Sequence, residues 1–187
     1  MPASLPLLTP SPITAAEARA ALPPISYAHF RERLLDELGV VDVASVSMFR
    51  SDLLYTHYLI SQGNLPAVQE FLIQHDDVTK RRLVNETDYN THMGNTLHTC
   101  AYWNTGDNAV EMFDYLVSCG ATPIRNYYAD LPWENYTGIL YVPILNLGGQ
   151  ELMHRDPAEF SATCATLESR YDDLVPAEER MPSLRTG

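Results

Sequence analysis

The run Gly94-Asn95-Thr96-Leu97-His98-Thr99-Cys100-Ala101, followed 19 residues past Ala101 by Gly120-Ala121, constrains the fold more than any other segment. Its spacing predicts a helix pair, roughly 96–103 and 108–118, closed by Gly120. Helices this short are marginal alone, so the rest of the chain must cover their apolar faces.

The neighbours are legible from caps and breakers. Residues 1–13 are rich in Pro, Ser and Leu and predict an extended arm; six prolines fall in the first 24 residues. Thr14-Ala15-Ala16-Glu17 has capping-box spacing and predicts a short helix over 15–22 that stops at Pro23-Pro24. Ser26 caps a helix over 27–38, with Phe30, Leu34 and Leu38 on one stripe and Gly39 at its end. Asp42 caps a helical stretch over 43–61, which Gly63-Asn64-Leu65-Pro66 interrupts. Pro66 suits the first position of the next helix, which carries Val68, Phe71 and Leu72. Residues 75–95 and 121–134 read as loops. Pro143 breaks the apolar run Ile139–Leu145, which stays unassigned. Asp156-Pro157-Ala158-Glu159 opens a helix over 157–175, striped by Phe160, Cys164, Leu167, Tyr171 and Leu174. Pro176 ends it, and 176–187 is expected to be a loose tail.

Charge narrows the partners. With 24 acidic and 12 basic residues the net charge is −12, which repels nucleic acid. The one basic cluster, Lys80-Arg81-Arg82, is expected on a solvated loop. Three cysteines, Cys100, Cys119 and Cys164, suggest no paired framework and fit a reducing compartment. The first residues lack the basic start and long apolar run of a secretion signal, so Asn85-Glu86-Thr87 and Asn135-Tyr136-Thr137 read as chance glycosylation matches. No stretch reaches the roughly 18 apolar residues of a membrane span. The expected location is the cytoplasm or an intracellular assembly.

The segment Asn95-Thr96-Leu97-His98-Thr99-Cys100-Ala101 is similar to the T-P-L-H-x-A-A signature of the ankyrin-repeat family. Val110, Met112, Phe113, Tyr115, Leu116 and Val117, ending in Gly120-Ala121, resemble the second helix of that unit. His98 to Gly120 spans 22 residues where the family has about 18, and the extra turn falls near 104–108. A more degenerate unit resembles the family at His57, Leu59, Ile60, Gly63-Asn64, Ala67-Val68 and Phe71-Leu72. A third starts at Gly120-Ala121-Thr122-Pro123 and Leu131-Pro132-Trp133-Glu134 and has no recognisable second helix. The resemblance implies an all-α fold: a short ankyrin-like helix-turn-helix stack over 51–135. Capping helices over 27–50, the Pro-rich arm over 1–26 and a C-terminal segment over 136–187 flank it.

His98 and Cys100 could suggest a nucleophile and base or metal ligands, but a zinc site needs four ligands at suitable spacing, which Cys119, His92 and His57 do not supply. Asp88-Tyr89-Asn90-Thr91-His92 departs from a calcium loop at its sixth and twelfth positions, Met93 and Thr99. Neither catalysis nor a cofactor or metal is expected. In the resembled family the finger tips and first-helix face bind proteins, which here implies Tyr89, Asn90, Thr91, His92 and Met93, then Asn126, Tyr127, Tyr128 and Asp130, with Tyr102 and Trp103 beside them. Tyrosine and asparagine suit interfaces, and 11 tyrosines against five phenylalanines favour that role. The expected function is non-enzymatic protein–protein interaction. The alternatives are a small structural subunit of a large assembly, such as a virus particle, held by its arms, and a free cytosolic adaptor or inhibitor.

Overall fold

Five of the described helices start under a side chain that accepts from a free amide of the first turn. Ser26 accepts from the His29 amide at 3.2 Å and opens α1 (Tyr27–Leu38), which ends on Gly39 at φ +64°. Ser47 accepts from the Arg50 amide at 3.1 Å and opens α2 (Met48–Ser61). Asn64 caps α3 (Leu65–Leu72), and Asp76 caps α4 (Asp77–Asn85) through the Thr79 amide at 2.7 Å. Asn95 caps α5 (Thr96–Trp103); α6 (Ala109–Ser118) and α7 (Pro157–Tyr171) follow. The computed structural model describes residues 25–39, 46–91, 93–104, 108–134 and 157–180, and among them all regular structure is helical.

α2 is the centre. Every residue from Leu53 to Ser61 is buried, because α1, α3, α4 and α5 all pack on it. A helix enclosed on all sides needs apolar or internally bonded residues all round, which explains its weak amphipathic pattern. α5 lies against α2, α4, α6 and α7, so it is the second enclosed helix. Where the two meet, His57 Nδ1 stands 2.6 Å from Thr99 Oγ1. Burial drives the His57 imidazole down to about 4, so it is neutral at pH 7.

Two glycines permit close approach. Gly63 turns the chain between α2 and α3 at φ +69°, and a Cβ there would lie 2.9 Å from Asn104 Oδ1. The Asn108 side-chain amide donates to the Gly63 carbonyl at 2.8 Å, joining this turn to the start of α6. A Cβ on Gly94 would lie 3.0 Å from His98 Cβ, so the chain must be bare where it passes the first turn of α5.

α7 covers α5 and α6 with Cys164 and Leu167, while Tyr171 stacks on Phe113 at 4.9 Å and its hydroxyl donates to Asp114. Arg170 also pairs with Asp114, at 2.9 Å.

Four expectations change. The 75–95 segment is not all loop: α4 occupies 77–85 and a 3-10 turn occupies Tyr89–Thr91. Only Leu83 and Val84 of α4 are buried, too few for a visible stripe. Of the stretch expected over 43–61, the central helix opens at Met48 under Ser47, and the expected start at 42–45 lies outside the described residues. The 157–175 helix ends at Tyr171, and the 3-10 turn Asp172–Leu174 shifts the phase, so Leu174 is 47% exposed and Val175 is buried instead. The start of the tail is held, since Arg125 Nε donates to the Glu179 carbonyl at 2.6 Å. The expected arm over 1–13, the helix over 15–22 and the apolar run 139–145 lie outside the described residues. Among the described residues no helix is long and apolar enough to cross a membrane.

Candidate functional site

Two loops are rooted on α5. In the first, Asp88 organises the turn: its carboxylate accepts from the Asn90 amide at 2.9 Å and from Arg50 Nε at 3.0 Å. Burial alone would raise the Asp88 carboxyl, but the Arg50 and Asn90 donors outweigh it and hold the group below the ordinary carboxylate range. The carboxylate that the calcium-like spacing offered is therefore committed to protein donors. The Asp88 carbonyl accepts from the amides of Thr91 at 2.9 Å and Met93 at 3.1 Å, and Met93 takes φ +55°.

In the second loop Asn126 plays the same part. Its Oδ1 accepts from the amides of Tyr128 at 2.9 Å and Asp130 at 3.0 Å, and Ala129 takes φ +62°. Arg125 braces it, donating to the Ala129 carbonyl at 2.7 Å and pairing with Glu134 at 3.0 Å.

α5 ties the two together. His98 Nδ1 accepts from the Asn95 amide at 3.2 Å, and Nε2 meets the Asp130 carbonyl at 2.8 Å. A carbonyl only accepts, so the proton sits on Nε2. Burial drives this imidazole down to about 4, which keeps Nδ1 free to accept. The Asn95 side-chain amide donates to the Thr122 carbonyl at 2.8 Å.

The side chains proposed from sequence separate into groups. Tyr89 is 84% exposed and Tyr127 74%, with Met93 and Tyr128 exposed beside them. The Tyr127 and Tyr128 rings meet edge to face at 5.2 Å. Asn90 is half-buried and Thr91 buried; both hydrogen-bond to Asp88. Asp130 is half-buried, and burial with the nearby Glu134 raises its carboxyl. Tyr102 lies under the second loop, its hydroxyl 3.2 Å from the Leu131 and Glu134 carbonyls. Trp103 is only 9% exposed and belongs to the core, so it does not join the exposed set. His92 lies outside the described residues. Sequence reading passed over Arg50, Arg125 and Glu134; for Glu134 the signal was its place three residues after Leu131, the reciprocal position of a capping box.

A second titratable cluster joins α1, α2 and α3. The Tyr27 hydroxyl donates to Asp52, and His75 bridges Asp52 at 3.3 Å and the Phe71 carbonyl at 3.0 Å beside a cavity of about 450 Å³. Burial and the Asp52 carboxylate push the Tyr27 phenol upward. These contacts clamp the first helix to the central one.

Searches of protein-family models, curated proteins and solved structures give no match to this chain.

Proposed function

We propose that this chain is a non-enzymatic protein-binding module, built as an ankyrin-like stack, that grips its partner with the loops at 89–93 and 126–130. The observation that carries this reading is the pair of side-chain-braced turns, 36 residues apart at Met93 and Ala129, rooted on one helix and presenting Tyr89, Met93, Tyr127 and Tyr128 outward. The loops are held before any partner arrives, which lowers the ordering cost of binding. Exposed tyrosines supply large contact area with few rotors, the profile of interface anchors. The helix pairs α2–α3 and α5–α6, with α2 and α5 side by side, support the stacked-unit reading.

The test begins with affinity capture and mass spectrometry to identify a partner, followed by titration of that partner. The triple variant Tyr89→Ala, Tyr127→Ala, Tyr128→Ala should bind at least tenfold more weakly, with circular dichroism and Tm unchanged. Undiminished affinity in that variant removes these loops as the binding surface.

A further inference from the structure

A groove of about 1100 Å³ runs between the end of α3, the length of α4 and the last turn of α6. Its size reaches the top of the range for ligand clefts, roughly 300–1,000 Å³, so it accommodates a short peptide. Ile73 and Val78 stand on its rim at 74% and 72% exposure, and Val117 lies across from them. Lys80, Arg81 and Arg82 line it, so a quarter of the chain's 12 basic residues gather here.

The three cations are not equivalent. Lys80 has Asp77 at 3.8 Å; Arg82 pairs with Glu86 at 2.8 Å and lies over the Phe49 ring at 4.0 Å. Arg81 meets no carboxylate among the described residues. Its side chain crosses the end of α6, where a Cβ on Gly120 would lie 3.0 Å from Arg81 Nε. The frame is fixed, because Asn85 donates to the Gly120 carbonyl at 2.7 Å and accepts from the Thr122 amide at 2.8 Å.

We infer that this groove docks an acidic peptide segment of a partner protein, an aliphatic side chain resting on Ile73, Val78 and Val117 and a carboxylate on Arg81. Charge decides the occupant. A net charge of −12 disfavours carboxylate ligands on the whole, but this groove presents three cations against the carboxylates of Asp77 and Glu86. The guanidinium fork matches a carboxylate in two parallel hydrogen bonds. The surface shares no residue with the exposed loops, so it stands or falls separately from them.

The full chain, ¹⁵N-labelled, is titrated with the hexapeptide Asp-Glu-Leu-Val-Glu-Asp. One control peptide carries lysines in place of the acids, and another carries serines in place of Leu-Val. The amides of Val78, Arg81, Cys119 and Gly120 should shift saturably with the first peptide only. Affinity should fall at least tenfold in Arg81→Glu and about threefold in Val78→Ser, and weaken as salt rises. Arg81→Gln serves if the reversal unfolds the chain. The triple tyrosine variant should bind the peptide as the parent does. Absence of a saturable shift, equal binding of either control, shifts at 89–93 or 126–130 instead, or indifference to the change at Arg81 overturns the proposal.

Discussion

The loop at 88–94 and the loop at 125–131 both turn through a residue of positive φ, Met93 at +55° and Ala129 at +62°. Two residues later each makes a reciprocal cap: the Asn95 amide donates to His98 Nδ1 at 3.2 Å, and the Leu131 amide donates to Glu134 Oε2 at 3.0 Å. The acceptors differ because their surroundings differ. His98 is buried between α5 and the second loop, where an unpaired charge would be costly, and a neutral imidazole accepts at one nitrogen and donates at the other. Glu134 is half-exposed beside Arg125, so a carboxylate serves. One backbone device thus takes an uncharged acceptor in the buried interior and a charged one nearer the surface.

Removing the two acceptors should separate them most. His98→Ala strands the buried Asn95 amide and the Asp130 carbonyl and leaves a ring-sized void, a loss of about 4 kcal/mol in urea unfolding. Glu134→Ala loses a solvent-screened ion pair and a cap, about 1 kcal/mol. Equal losses would break the comparison.

Acid probes the same difference without mutation. An unfolded imidazole takes a proton near pH 6.5 and the buried His98 only near 4, so between those values the unfolded chain binds more protons and stability falls as the pH falls. The His98 share is roughly 3 kcal/mol, an upper bound, and His57, also lowered to about 4, adds to it. Tm should therefore drop between pH 7 and pH 4.5, and His98→Gln should shallow that drop. Asp88, held below its ordinary value of 3.8, loses its stabilising share only at lower pH, so it does not imitate the histidines. A flat Tm across this window contradicts neutral imidazoles in the core.

The first loop also leans on one ion pair. Arg50→Ala frees Asp88 from the guanidinium at 3.0 Å, and because Arg50 is partly exposed the loss should be about 1 kcal/mol. Hydrogen exchange at the Met93 amide should quicken while that at Leu97 holds; equal quickening at both would mean that the pair supports α5 and not the loop.

The helices most legible in sequence are those whose ends carry strong punctuation. Ser26 with Gly39, Gly120 closing α6, and Asp156-Pro157 each point to an element that is present. α4 was hidden because its buried face is two residues and its middle carries Lys80-Arg81-Arg82, which reads as solvated loop. The exposed tyrosines were legible as turn residues in polar company. Trp103 was not legible as core, because only the packing of α5 against its neighbours decides that a large aromatic faces inward. Arg50 and Asp88 stand 38 residues apart, a pairing that no local pattern carries.

The positive-φ residues give the smallest effect and the finest distinction. A left-handed conformation costs an L-residue about 1–2 kcal/mol, while glycine loses about 0.5–1 kcal/mol more entropy on folding. Ala129→Gly should therefore stabilise the fold by about 0.5 kcal/mol, because its methyl group is exposed, whereas in Met93→Gly the relief at φ is offset by loss of a side chain that is only 40% exposed, so stability should change little. Their effects on binding should diverge. Ala129→Gly removes one methyl group at a bend and should leave partner affinity within twofold. Met93→Gly removes an apolar side chain from the same loop as Tyr89 and should weaken binding several-fold with Tm little changed. Calorimetric Tm and partner titration on the two variants read both quantities, and loss of stability in both would mean that the neighbouring hydrogen bonds, not φ itself, hold these turns.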